Sequence, residues 1–192
     1  FDDAGDTMLG YVTATLQDFT TTGGAKKAAR YRWNWRPRAA GESINAFTNL
    51  FALVDAMNSP QPEPYRTWIS QVANVDEFMR VFAVNRVVGN WDSYGYSRGK
   101  NMFIYKPASS PWKLLPWDID FVFSTGDSAT TSLFGSADPV IDTFRDYPQF
   151  QRAYWRAFSD AVNGPLVAGT LAAWLDPRYT ALVAEGIDPD SP

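Results

Sequence analysis

The chain has 192 residues, 45% of them hydrophobic and 20% charged, with a net charge of −4, which is ordinary globular composition and enough length to bury one core. The acidic balance argues against a general nucleic-acid binder held by phosphate contacts. With no Cys and no His, thiol nucleophiles, disulfides, thiolate or imidazole zinc sites and His-dependent triads are excluded, so acid–base work falls to Asp, Glu, Lys or Tyr.

The aromatic share is 16%, with eight Trp, which favours either a well-packed interior or a surface that stacks flat ligands such as sugars and bases. No stretch is long enough to span a bilayer, and none reads as a signal-peptide core. The chain opens at Phe1 without an initiator Met, the pattern expected of a processed or excised piece of something longer.

Residues 19–41 lack any acidic side chain, whereas Lys26, Lys27, Arg30, Arg32, Arg36 and Arg38 fall among Tyr31, Trp33 and Trp35. This basic segment reads as a solvated surface whose Trp side chains dock on the core. Gly23-Gly24 before Lys26 hints at a phosphate-cradling turn but lacks the rest of a P-loop. Residues 42–57 predict an amphipathic helix with Ile44, Phe47, Leu50, Phe51, Val54 and Met57 on one face, stopped at Asn58-Ser59-Pro60.

After the Pro-rich residues 60–64 a short helix runs through Tyr65, Trp68, Ile69 and Val72. Asn74 then offers an N-cap with Glu77 at the capping-box position, opening a helix that carries Phe78, Val81, Phe82 and Asn85 and ends at Gly89. Residues 93–100 predict a loop, and 102–105 and 112–115 two apolar strands of a hairpin. A small-residue loop over 124–136 precedes a mostly helical remainder with Phe150, Tyr154, Phe158 and Val162 in register. Residues 188–192 read as a linker.

Helices around one hairpin make this an α+β chain, and its oxygen-bearing side chains gather about that hairpin. Asn90, Asp92, Asn101, Asp118 and Asp120 lie on the loop before it and the segment after it. Hard oxygen ligands of this kind suit Mg²⁺, which takes a few carboxylates together with phosphate oxygens and water. On spacing alone the same residues read equally as turn caps and backbone hydrogen-bond acceptors.

Gly89-Asn90-Trp91-Asp92-Ser93, Asn101-Met102-Phe103-Ile104-Tyr105 and Trp112-Lys113-Leu114-Leu115-Pro116-Trp117-Asp118-Ile119-Asp120 occur in the order of three linked motifs. Together they resemble the spore coat protein H (CotH) kinase family over roughly residues 29–165. Tyr31-Arg32-Trp33-Asn34-Trp35 and Leu53-Val54-Asp55-Ala56-Met57-Asn58 are similar to the segment before the catalytic part of many members.

The resemblance implies the mainly helical C-lobe of a protein-kinase-like fold over residues 31–187, with residues 1–30 as an N-terminal segment or the remnant of an upstream lobe. It implies ATP and Mg²⁺ or Mn²⁺ as cofactors, a protein substrate with Ser or Thr hydroxyls, and an extracellular or cell-surface location. Asp92 would be the catalytic-loop carboxylate. Asn101 would be a metal or phosphate ligand, nine residues after Asp92 where ordinary kinases have five. Asp118 would hold the principal metal with Asp120 beside it. Beside that site Lys100 reads as a solvated loop lysine that could pair a phosphate, and Trp117 as a core or pocket wall or else an adenine platform.

A kinase also uses a strand-rich upper lobe over the phosphates, and too few strands precede Tyr31 to build one. The fragment alone is therefore expected to lack part of the machinery, with Lys26 or Lys27 a poor substitute for the missing phosphate-binding Lys. Two other readings stay open: a non-catalytic adhesive or carbohydrate-binding module using Trp and Tyr platforms, and a metal-dependent hydrolase in which Asp118 and Asp120, at i and i+2 on a strand, share a metal.

Overall fold

The computed structural model describes residues 14–38, 43, 45–97, 99–123, 128–136 and 138–187. Among them it is an α+β arrangement of seven helices and one antiparallel hairpin. In chain order these are α1 (Ala28–Asn34), α2 (Thr48–Met57), α3 (Tyr65–Val72), α4 (Val75–Val87), β1 (Met102–Tyr105), β2 (Lys113–Pro116), α5 (Pro139–Asp146), α6 (Pro148–Val162) and α7 (Ala168–Ala184).

α4 is the central element. Asn74 caps it as its sequence predicts, its Oδ1 accepting from the Glu77 backbone amide at 3.3 Å while its side-chain Nδ2 donates to Glu77 Oε2 at 3.2 Å. Phe78, Met79, Phe82, Ala83 and Asn85 are buried along it, facing α6 and β2. Edge-on ring contacts run outward from this face: Phe82 to Tyr94 and Phe144, Phe144 to Phe150, and Tyr94 to Trp35, the geometry that aromatic quadrupoles favour.

The hairpin pairs Met102 with Pro116 and Tyr105 with Lys113. It is moored to the α3–α4 junction, where the Trp112 amide donates to the Val72 carbonyl at 2.7 Å and the Asn74 amide to the Trp112 carbonyl at 2.9 Å. Residues 14–16 enter the same core. Leu16 is fully buried, its amide donates to Asp138 Oδ2 at 2.8 Å, and Trp35 Nε1 donates to the Thr15 carbonyl at 3.1 Å.

Several elements depart from the sequence expectation for local reasons. The basic segment contains the unpredicted α1, and of its two Trp side chains only Trp35 docks in the core while Trp33 stays exposed. Lys26 is held between Asp18 and Asp55 at 2.6 and 2.5 Å, so its charge beside the Gly23-Gly24 turn is already paired. α2 begins at Thr48, not 42, because Ser43 starts a turn that competes with the helix: its carbonyl takes the Ala46 amide and its hydroxyl the Asn45 amide. Residues 42 and 44 lie outside the described residues, as do the linker at 188–192 and part of the loop at 124–136.

In α6 the buried face is Phe150, Tyr154, Ala157, Phe158 and Ala161. Val162 leaves it because twelve residues from Phe150 it has rotated about 120° off that face. α7 buries none of its residues and carries Pro177 inside it. No described helix is long and apolar enough to cross a membrane.

The loop at 91–97 is buried to an unusual degree, with Asp92, Ser93, Tyr94 and Tyr96 all inside. Gly95 makes that possible: at φ +86° a side chain is strained, and a Cβ there would overlap the Phe82 ring, lying 2.5 Å from Cε1. Gly95→Ala is expected to cost about 2–4 kcal/mol, from overpacking and left-handed strain together, read from urea unfolding. Burial also pushes the Tyr94 phenol well above its ordinary value. The folded chain therefore holds that proton more tightly than the unfolded chain, and the stabilisation is complete below the ordinary phenol value and lost as pH rises above it. Denaturation midpoints should fall above about pH 10, and less steeply in Tyr94→Phe.

Candidate functional site

The site forms where α4 ends and the hairpin begins. Gly89, at φ 66°, terminates the helix, and the chain turns back so that the Asn90 amide donates to the Asn85 carbonyl at 2.8 Å and the Gly89 amide to the Arg86 carbonyl at 3.2 Å. These two bonds are the Schellman pattern of a helix C-terminus. Two residues on, Asp92 is only 5% exposed, a depth at which a carboxylate requires partners.

Those partners come from the strand side. Lys100 Nζ lies 2.7 Å from Asp92 Oδ2 and Asn101 Nδ2 donates to the same oxygen at 3.1 Å. Three of the residues singled out in the sequence are thus brought into direct contact. The Lys100 side chain remains 48% exposed, so the pair joins a buried anion to solvent through its cation.

Asn101 and Asp118 flank the hairpin base, and both adopt left-handed backbone, φ 55° and 54°. Asn and Asp tolerate that region better than other side chains, and clusters of such outliers mark functional sites more often than ordinary turns. The Trp117 amide donates to the Asn101 carbonyl at 3.1 Å, so Asp118 follows directly on the residue paired with Asn101. The segment after β2 is pinned again where the Phe123 amide meets the Val88 carbonyl at 2.7 Å. Between these anchors Phe121 packs on Trp91, ring centroids 5.7 Å apart.

Asp118 and Asp120 are both exposed. The expectation that they project together from a strand is corrected: β2 stops at Pro116 and the positive φ of Asp118 breaks the alternation on which that expectation depends. No group of three or more acidic side chains able to hold a metal forms among the described residues, so an all-protein metal cage does not fit. A metal carried by a nucleotide does fit the donor set, because phosphate oxygens and water fill most of its positions and the protein adds one or two carboxylates.

Trp117 is 59% exposed and meets Phe103 edge-on at 5.2 Å. With Leu115 and Tyr105, also exposed, they give the hairpin an open apolar surface next to the charged cluster. Asn85 is a part of the site that no motif reading assigned. It is buried at the end of α4, where it holds Asn90, and its signal was an amide in line with Phe78 and Phe82 on an otherwise apolar helix face.

The molecule is thus an α+β domain with a carboxylate–amide–lysine cluster at the base of a hairpin. It matches the CotH kinase protein family over residues 3–188 and belongs to that family. No curated protein and no solved structure matches the chain.

The left-handed backbone at Asp118 makes its own prediction. Asp118→Gly should leave stability within about 0.5 kcal/mol, because relief of strain offsets the greater entropy of the unfolded chain, whereas Asp118→Val should cost about 1–2 kcal/mol. Thermal melts of the two variants against the wild type measure the difference.

Proposed function

We propose that this chain is the metal- and nucleotide-binding C-lobe of a CotH-type atypical kinase with a protein-kinase-like fold, transferring the γ-phosphoryl group of ATP to Ser or Thr hydroxyls of secreted or surface proteins. The observation that carries this reading is the buried Asp92 carboxylate, gripped by Lys100 and Asn101 at the base of the hairpin whose other side delivers Asp118. Asp92 orients the acceptor and takes its hydroxyl proton. That oxygen forms the new bond to the γ-phosphorus as the bond to the β–γ bridging oxygen breaks, and ADP leaves.

Lys100 and Asn101 fix the rotation of the carboxylate by holding one oxygen. Lys100, half in solvent, would also counter phosphate charge. Asp118, with Asp120 and Asn101, would hold Mg²⁺ or Mn²⁺, which when bound supplies charge neutralisation on the phosphates. Trp117 offers its exposed face to the nucleotide. β1 and β2 are the only strands longer than a single bridge among the described residues, so on this reading the phosphate-covering sheet comes from another part of the protein or from a partner.

The open apolar surface of the hairpin also suits a second reading, an adhesive module that stacks sugars on Trp117 and its neighbours. Glycan-array binding that is lost in Trp117→Ala and indifferent to ATP would favour it over phosphotransfer.

Incorporation of radiolabelled phosphate by the intact parent protein tests the kinase reading. Asp92→Asn should lower transfer about 100-fold or more with ATP affinity retained. Asp118→Asn should weaken metal-dependent ATP binding about tenfold or more. Absence of transfer with either metal, together with wild-type nucleotide binding in both variants, would sink it.

A further inference from the structure

We propose that Asn85, in the last turn of α4, is the positioning residue for Asp92, a role that rests on the phosphotransfer reading above. Its surroundings are those of a core position: it is 5% exposed and shares its helix face with fully buried Phe78 and Phe82. An aliphatic side chain would fit such a place without the desolvation cost of an amide.

What the amide does there is specific. In a Schellman ending, the residue whose carbonyl takes the returning amide commonly touches that returning residue through an apolar contact. Here the two are Asn85 and Asn90, and the apolar contact is replaced by a buried hydrogen bond from Asn90 Nδ2 to Asn85 Oδ1 at 3.2 Å. Asn85 thus holds Asn90 twice, by main chain and by side chain. The Asn90 carbonyl in turn accepts from Ser93 Oγ at 2.6 Å, closing a ring of bonds around the backbone of Asp92.

The arrangement is not the one that stability alone would favour. Asn90 is fully buried, and its Oδ1 accepts no hydrogen bond from any described residue, a cost that a pair of aliphatic side chains would avoid. The amide pair gains direction in exchange. A hydrogen bond fixes the rotation of the 90–93 turn about the helix end, which an apolar contact leaves loose. Lys100 and Asn101 act on the Asp92 carboxylate itself, so Asn85 sets the backbone and they set the head group.

The decisive variants are Asn85→Leu, which keeps the branching and heavy-atom count of the side chain while removing its polar atoms, and Asn90→Leu, which breaks the same bond from the loop side and covers the case in which the helix variant fails to fold. Phosphotransfer by the intact protein is measured alongside amide hydrogen exchange at 90–93. The expected result is a kcat about 10- to 100-fold lower, as misplacement of a reacting group by about 1 Å would give, with KM for ATP within about twofold. Exchange at 90–93 should be faster and the thermal midpoint unchanged or higher. Wild-type kcat in both variants, exchange at 90–93 that matches the wild type, or loss of kcat together with ATP affinity and thermal midpoint each overturns the proposal. If the wild type transfers no phosphate that Asp92→Asn removes, the kinase reading has failed, and the exchange measurement alone still decides whether Asn85 holds the turn.

Discussion

The packing of Phe82 against the Tyr94–Gly95 backbone is the contact on which the rest of the structure depends. A loop rich in Gly, Ser and Tyr would ordinarily run over the surface, where water satisfies its polar groups. Here the missing side chain at Gly95 lets the loop lie against a helix face, and the Tyr94 ring then bridges from Phe82 to Trp35. Burial of Asp92 follows from the same approach. The carboxylate is carried inward by its neighbours and its partners are built around it.

Two kinds of support meet at that carboxylate. The helix end fixes the main chain through carbonyl and amide bonds that no exposed loop could keep rigid, while the hairpin contributes a lysine and an amide to the head group. Asp138 does comparable work at a distance. It accepts from the Leu16 and Val140 amides and from the Tyr94 hydroxyl, joining residues 14–16, the start of α5 and the buried loop. Burial raises its carboxyl above the ordinary range despite those bonds, so the loop that holds Asp92 is tied down by a second, costly acid.

Much of this was legible in the sequence where a single local rule decides the outcome. The Asn74–Glu77 cap, the stop at Gly89, the hairpin and the stretch from Asn90 to Asp120 each depend on residues close together in the chain. The contact of Asp92 with Lys100 and Asn101 was foreshadowed only by motif order, because spacing cannot tell which side chains a turn brings face to face. α1 escaped notice because its charged residues hide a short helix with only Ala29 and Tyr31 buried. The left-handed backbone of Asp118 and the pinning of Phe123 to Val88 were beyond reach, since both follow from how a strand end meets a helix end distant in sequence.

α7 has a consequence of another kind. A helix that buries no side chain and contains a proline gains almost nothing from the rest of the fold, and an isolated helix of that length is marginal in water. Its opening is therefore expected to come before that of the core. A ligand bound near Asp92 would stabilise the aromatic core around α4 and leave the opening of α7 unchanged.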